Sequence, residues 1–142
     1  MKILEQSIQH NPPELYGDCF RTALASILNL ERDDVPHFND GKPCDNYWEL
    51  VNDWLSHRDL VMFSVAFEAK LPDVLSYMKR VNQDLYYLLA GKSPRGCSHQ
   101  VVALNDTIVC DPAPHGGGLV GPCIEDDLYW VNVLLPRSIH RI

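Results

Sequence analysis

The chain has 142 residues, of which 46% are hydrophobic and 22% charged, and its formal net charge at pH 7 is −7. This size and composition are typical of one globular domain, so we expect a single domain over residues 1–142 and exclude a disordered chain. Nucleic-acid-binding proteins usually carry clustered Lys and Arg, and this acidic sequence has no such cluster. We therefore predict a protein that does not bind nucleic acid.

The N-terminal sequence and the cysteine count indicate the compartment. Glu5 interrupts the apolar run that a signal peptide would need, and no stretch approaches the ~18 apolar residues of a membrane span. Five cysteines, an odd number, argue against a closed disulfide framework. We therefore expect a cytoplasmic protein with reduced thiols and no membrane contact.

Metal and cofactor binding have little support in the sequence. There is no C-x-x-C pair, no P-loop and no G-x-G-x-x-G motif. Four residues, Cys97, His99, Cys110 and His115, are candidate zinc ligands, but their spacing fits no standard pattern. We predict no metal and no cofactor, and a zinc-binding regulator built on these four residues is a third alternative function.

The first half of the chain predicts an arm followed by helices. Residues 2–9 fit a short strand or an extended arm, and the prolines in 10–14 predict a loop. A helical stripe of apolar residues begins at Cys19 and ends near Asn29, with Asp18 suited to cap the helix through its carboxylate.

The rest of the chain predicts one more buried helix and then mostly strands. The second amphipathic helix is expected over 45–57, with Trp48 and Trp54 in the core. After it we expect a strand over 60–67, a helix over 72–80, and strands over 85–90, 99–104, 107–111 and 128–135. Helices that precede a group of strands favour an α+β fold over alternating βαβ units.

Cys19 is the first residue with a chemical position. It lies at the predicted start of a helix, where unpaired N–H groups and the partial positive charge of the helix stabilise a thiolate. The alternative is a buried cysteine on an apolar helix face. Cys44, Cys97, Cys110 and Cys123 are interpreted as packing residues or free thiols.

His99 and Asp111 lie at the outer ends of a predicted hairpin. A histidine at the start of a strand is either a base or ion-pair partner for a thiol, or a hydrogen-bonded structural residue. A three-residue loop over 104–106 would place Asp111 directly opposite His99, with Cβ atoms about 4.5–5.5 Å apart, a separation that lets a carboxylate orient an imidazole. A two-residue turn at Asn105-Asp106 would put them on opposite faces.

Three segments, GDCFRTA (17–23), SHQVV (98–102) and VCDPA (109–113), resemble the papain-like cysteine peptidase superfamily. They are most similar to the bacteriocin-processing peptidase domain of peptide exporters, which shows an Asp-Cys helix start, a His-x-Val-Val strand and an Asp-Pro step in this order. The chain also resembles small bacterial and phage proteins in which a Gly-(Asp/Asn)-Cys helix precedes Val-Pro-His-Phe, here residues 35–38. The resemblance covers residues 3–135. It implies a papain-like α+β fold in which an N-terminal helix with the cysteine packs on an antiparallel sheet with the histidine and aspartate.

The resemblance implies a function. Cys19 would be the nucleophile, His99 the base and Asp111 the residue that orients it, in a thiol hydrolase that cleaves an amide, peptide or isopeptide bond through an acyl-enzyme. The same triad also supports deamidation or acyl transfer, and a non-enzymatic binding module, such as a phage protein that targets a host factor, is the alternative. The substrate would be a peptide, a protein tail or a small amide, met largely by loops 91–97 and 112–121.

The oxyanion hole is the weakest part of the resemblance. The superfamily uses a glutamine upstream of the cysteine, and the usual spacing of about six residues falls on Pro13, which cannot serve. If the proline-rich loop is an insertion, Gln6 is the first candidate and Gln9 the second, with the N–H of Cys19 as the other donor. The bulky residue after the cysteine, Phe20, is a second departure, because the exporter peptidases often have a small residue there.

Overall fold

A computed structural model describes residues 1–11, 16–40 and 46–140 of the protein. The helices are α1 (Cys19–Leu28), α2 (Tyr47–Ser56) and α3 (Leu71–Val81), and single 3-10 turns cover Arg32–Asp34 and Arg137–His140. The strands are β1 (Leu60–Phe67), β2 (Tyr86–Lys92), β3 (Ser98–Leu104), β4 (Thr107–Cys110) and β5 (Tyr129–Pro136). The predicted helices and strands are confirmed to within about two residues at each end. Only residues 10 and 11 of the predicted loop over 10–14 are described, and Cys44 lies outside the described residues.

The five strands form one antiparallel sheet in the order β1-β5-β2-β3-β4. The α+β class is therefore confirmed. Residues 1–11 belong to no strand of this sheet and form an extended arm, the second of the two expected alternatives. In the described part of the chain, no helix has the length and apolar character needed to cross a membrane.

The sheet separates two hydrophobic clusters. Leu88 and Val102 face α1 and α2, and residues such as Leu24 and Val51 from those helices pack against them without solvent exposure. On the other face, Tyr87, Leu89, Val101 and Ala103 pack with Val74 and Met78 of α3. Because neighbouring residues of a strand point to opposite faces, each central strand contributes to both clusters.

Asp18 connects the N-terminal arm to α1. Its carboxylate, in a residue only 1% exposed, accepts hydrogen bonds from the Ser7 hydroxyl (2.6 Å), the Ile8 N–H (2.9 Å) and Arg21 Nε (3.0 Å). The predicted carboxylate cap is therefore wrong, and the Asp18 carbonyl instead accepts from the N–H and hydroxyl of Thr22. Burial alone would raise the pKa of Asp18, but these hydrogen bonds and the Arg21 charge lower it.

The turn between β3 and β4 has two residues, Asn105–Asp106, because Leu104 pairs directly with Thr107. Asn105 takes a φ of 55°, a left-handed conformation that asparagine tolerates better than most residues. The three-residue loop that would pair His99 directly with Asp111 is therefore wrong.

A β-bulge compensates for this turn. The β4 partners of Val102 and Ala103 lie two positions apart instead of one, so Val109 is an extra residue in β4. One extra residue reverses the faces that the following side chains occupy. Asp111, directly after β4, therefore lies on the same face of the hairpin as His99.

We predict that Asp18→Ala destabilises the protein by about 3 kcal/mol. The substitution leaves the Ile8 N–H and the Arg21 guanidinium without their buried acceptor. Urea denaturation measures the effect, and Asp53→Ala is the matched control, because the Asp53 side chain is 74% exposed and its removal is expected to cost less than about 0.5 kcal/mol. Equal midpoints for the two variants would contradict this account of the arm.

Candidate active site

Cys19 is the first residue of α1, and its side chain is only partly buried. The N–H groups of the first helical turn have no acceptor within the helix, so the thiol lies at the positive end of the helix. Among the described residues the cysteines at 19, 97, 110 and 123 are all free thiols. Cys19 lies against His99.

His99 and Asp111 form a close pair. His99 is 3% exposed, and its Nε2 donates a hydrogen bond to Asp111 Oδ1 over 2.7 Å. The carboxylate also accepts from the backbone N–H groups of Ala113 (3.0 Å) and Gly118 (2.8 Å). Gly118 has a φ of +64°, which glycine adopts without steric cost. The loop after β4 therefore wraps around Asp111 and fixes its direction.

His99 and Asp111 each stabilise the charged form of the other. Burial alone would lower the pKa of His99, but the hydrogen bonds to Asp111 and the Cys19 side chain, together with the charges of both groups, raise it to about 9. Burial opposes the charge of Asp111 as well, yet the hydrogen bonds from His99, Ala113 and Gly118 lower the pKa of its carboxyl. At neutral pH the site therefore holds an imidazolium between the Asp111 carboxylate and the Cys19 sulfur.

Two cavities open on either side of Cys19. The sheet-side cavity, about 640 Å³, lies between α2 and the sheet and is lined by Trp48, Asn52, Met62, Ser64, Ala90, Gln100, Cys123, Asp126, Trp130 and Asn132. The arm-side cavity, about 580 Å³, lies between the N-terminal arm and residues 95–97. Cys19, Ser98, His99 and Glu125 line both cavities, so the thiol is open to a ligand from two directions.

Both glutamine candidates lie near the thiol. Gln6 and Gln9 line the arm-side cavity together with Cys19. Gln6 Nε2 donates to the Ile8 carbonyl (2.7 Å), and its Oε1 is buried without a hydrogen-bond partner among the described residues. The Gln6 N–H also donates to the Pro112 carbonyl (2.7 Å), which joins the arm to the loop that holds Asp111. Pro13 lies outside the described residues.

One expectation about the surroundings of the site is wrong. Trp48 is not a core residue: it shares a face of α2 with the buried Val51 and Leu55, but it lies nearer the start of the helix, is 52% exposed and lines the sheet-side cavity. The loop over 112–121, which was expected to meet the substrate, lines neither of these two cavities, and its Gly118 N–H binds Asp111.

Residues 123–126 and the N-terminal arm line the cavities beside Cys19. Residues 95–97, part of the loop over 91–97 that was also expected to meet the substrate, line the arm-side cavity. Gln6 and Gln9 were the only residues of the arm that the sequence marked as candidates. No pattern in the sequence pointed to Glu125 or Asp126 as residues of the site.

The candidate zinc ligands do not converge. No group of three or more His, Cys, Asp or Glu side chains in residues 1–11, 16–40 and 46–140 is arranged to hold a metal ion. Cys110 is buried beside Ser26, with 3.7 Å between sulfur and hydroxyl oxygen, while Cys97 contacts the Ser93 hydroxyl. The zinc-regulator alternative is therefore wrong for the four residues proposed.

The raised pKa of His99 predicts a pH dependence of stability. A histidine of ordinary pKa 6.5 that titrates at about 9 in the folded protein stabilises the fold fully below pH 6.5 and loses this contribution as the pH rises through 9. We expect a loss of up to about 3 kcal/mol between these values. Urea denaturation across this range should show a smaller loss for His99→Gln and Asp111→Asn. If the stability of both variants falls as steeply with pH as that of the unaltered protein, other titrating groups are responsible for the pH dependence.

No protein-family model matches the chain, and neither the curated proteins nor the solved structures contain a significant match. The arguments for a function therefore come from the geometry of the site itself.

Proposed function

We propose that this protein is a papain-like thiol hydrolase that cleaves an amide, peptide or isopeptide bond. The observation that carries the proposal is one chain of contacts: Cys19 at the start of a helix lies against His99, and His99 donates to Asp111 over 2.7 Å. A nucleophile, a base and a residue that orients the base, in this arrangement, are what acyl transfer through a covalent intermediate requires.

In the proposed reaction, the Cys19 thiolate attacks the carbonyl carbon of the substrate and forms a tetrahedral intermediate. The imidazolium of His99 gives its proton to the leaving amine, which departs and leaves a thioester on Cys19. His99 then takes a proton from the water that attacks the thioester, and the C–S bond breaks to release the acid and the Cys19 thiolate, which restores the starting state. Asp111 keeps the ring in position and stabilises its positive charge throughout.

The oxyanion of the intermediate needs donors close to the thiol. The Cys19 N–H has no acceptor within α1 and is the first donor we assign. Gln6 is the second, since it lines the cavity beside Cys19 and uses one of its two amide protons on the Ile8 carbonyl. Gln9 remains the alternative, as it lines the same cavity.

Three other functions are compatible with this fold. A deamidase or an acyltransferase differs from a peptidase only in the leaving group or in the acceptor of the acyl group, and the triad serves all three reactions. A non-enzymatic binding module would keep the fold and need no reactive thiol. We favour an enzyme because Cys19 is accessible from two cavities and has a charged imidazole beside it. We also propose a cytoplasmic location, where the thiol would stay reduced.

We predict that iodoacetamide alkylates Cys19 at pH 7 at least about tenfold faster than Cys97, because Cys19 lies at the start of a helix beside the imidazolium of His99. Cys97 is the internal control, since it is also a partly buried free thiol. Peptide mass spectrometry gives both rates in one sample. His99→Gln should remove the difference. Similar rates at the two cysteines of the unaltered protein would favour the binding module.

We further predict that p-nitrophenyl acetate acetylates Cys19 and that the acetyl group is then released. Intact-protein mass spectrometry should detect the adduct in the unaltered protein and none in Cys19→Ala. Because it removes the imidazolium beside the attacking sulfur, His99→Gln should lose about 10²-fold or more of the acylation rate. If the adduct persists in water but an added amine removes it, transfer replaces hydrolysis as the proposed reaction. Failure to acylate Cys19 would count against all three enzymatic reactions.

A further inference from the structure

The sheet-side cavity beside Cys19 has an unbalanced charge. Glu125 and Asp126 line it, and neither lysine nor arginine lies among its described lining residues. Among those described lining residues the one basic side chain is His99, which is already paired with Asp111. A ligand that brings positive charge into this cavity would therefore meet two carboxylates, and no lysine or arginine among the described lining residues would oppose it.

Both carboxylates are held in place by the protein. Glu125 Oε2 accepts from the Ser98 hydroxyl (2.5 Å), while Asp126 accepts from Trp130 Nε1 (2.6 Å) and from the Leu128 N–H (3.1 Å). A carboxylate has about four lone-pair sites. Each therefore keeps the capacity to accept a hydrogen bond from a ligand.

The Cys123 thiol lines the same cavity and is affected by the charges of both carboxylates. Burial and the negative charges of Asp126 and Glu125 raise the pKa of its thiol to about 11. The two carboxylates thus disfavour a negative charge at a point inside the cavity, and by the same electrostatics they favour a positive one.

Two amide side chains in the cavity lack partners. Asn132 is only 3% exposed, yet no hydrogen bond joins its amide to another group in the described part of the chain. Gln100 Oε1 is buried and has no hydrogen-bond partner among the described residues. Both residues line the cavity, and buried polar groups are costly to leave unpaired, so both favour a ligand that brings hydrogen-bond donors.

The aromatic residues of the cavity suit the same kind of ligand. Trp48 is 52% exposed and Trp130 is held by its bond to Asp126, and both line the cavity. An indole ring attracts an ammonium or guanidinium group placed over its face. The apolar rings also accommodate the methylene stem of a long cationic side chain.

We propose that the sheet-side cavity binds a lysine or arginine side chain of the substrate, beside the bond that Cys19 attacks. Glu125 and Asp126 supply the opposite charge, Gln100 and Asn132 accept N–H donors, and Trp48 covers the aliphatic stem. The assignment of this ligand as substrate rests on the proposed function, whereas its binding does not require the reaction.

Binding is tested without chemistry in the Cys19→Ala protein. NMR titrations compare Nα-acetyl-lysine N-methylamide with the neutral Nα-acetyl-norleucine N-methylamide. We expect the lysine compound to bind at least fivefold more tightly and to shift the resonances of residues 125–132. Equal binding of the two compounds, or no binding of either, would overturn the proposal.

Two variants test which carboxylates are responsible. Combining Glu125→Gln with Asp126→Asn should bring the ratio of the two affinities close to one. Asp53→Asn is the matched control, because it removes an exposed carboxylate that does not line the cavity, and it should leave the ratio unchanged. A preference for lysine that survives in the double variant would contradict the assignment to Glu125 and Asp126.

Acylation of the unaltered protein by p-nitrophenyl esters of Nα-acetyl-lysine and Nα-acetyl-norleucine separates this proposal from the proposed function. Faster acylation by the lysine ester supports both. Acylation at equal rates supports the hydrolase and overturns the subsite. If neither ester acylates the protein but Cys19→Ala still prefers the lysine compound, the result supports the cavity as a cation site and overturns the proposed hydrolase.

Discussion

The hydrogen bond from His99 Nε2 to Asp111 Oδ1 is the interaction on which the site depends. Burying an imidazolium to this extent without a carboxylate beside it would cost too much free energy. The charge loses its hydration, and a hydrogen bond to a neutral group would not compensate for that loss. Two features of the backbone, the bulge in β4 and the loop after it, hold Asp111 beside His99. The bulge at Val109 turns Asp111 to the face of His99, and the N–H groups of Ala113 and Gly118 then fix the carboxylate. With Nε2 thus occupied, the other ring nitrogen is left for the thiol.

The N-terminal arm extends this order to the remaining parts of the site. Asp18 binds the arm through Ser7 and Ile8 and is the residue directly before Cys19, so one buried carboxylate sets both the arm and the start of α1. Two residues before Ile8, the Gln6 N–H reaches the Pro112 carbonyl, next to Asp111. Helix, arm and post-β4 loop therefore form one hydrogen-bonded unit around the thiol. Side chains that are held to within a fraction of an ångström of one geometry require support of this kind.

The sequence predicted whatever depends on local pattern. The stripe that begins at Cys19 and the alternation in the strands follow from periodicities of 3.6 and 2, and these elements were correct. The pairing of His99 with Asp111 was anticipated for a wrong reason, since a bulge depends on how two strands fit and leaves no mark in one strand alone. Trp48 was wrongly assigned to the core. Periodicity identifies the apolar face of a helix, but it does not show how much of that face the rest of the protein covers. Glu125 reaches the site only through the fold of a distant loop.

Charge around Cys19 is distributed unevenly between the two cavities. Arg21 and Arg95 line the arm-side cavity, whereas the sheet-side cavity has Asp126 and neither Lys nor Arg among its described lining residues. Glu125 stands where the two cavities meet. Arg21 is partly neutralised by Asp18, but the guanidinium of Arg95 contacts only the Gly116 carbonyl among the hydrogen bonds of the described chain (3.3 Å). A chain that crosses Cys19 therefore meets an electrostatic gradient, and a gradient favours one direction of binding over its reverse.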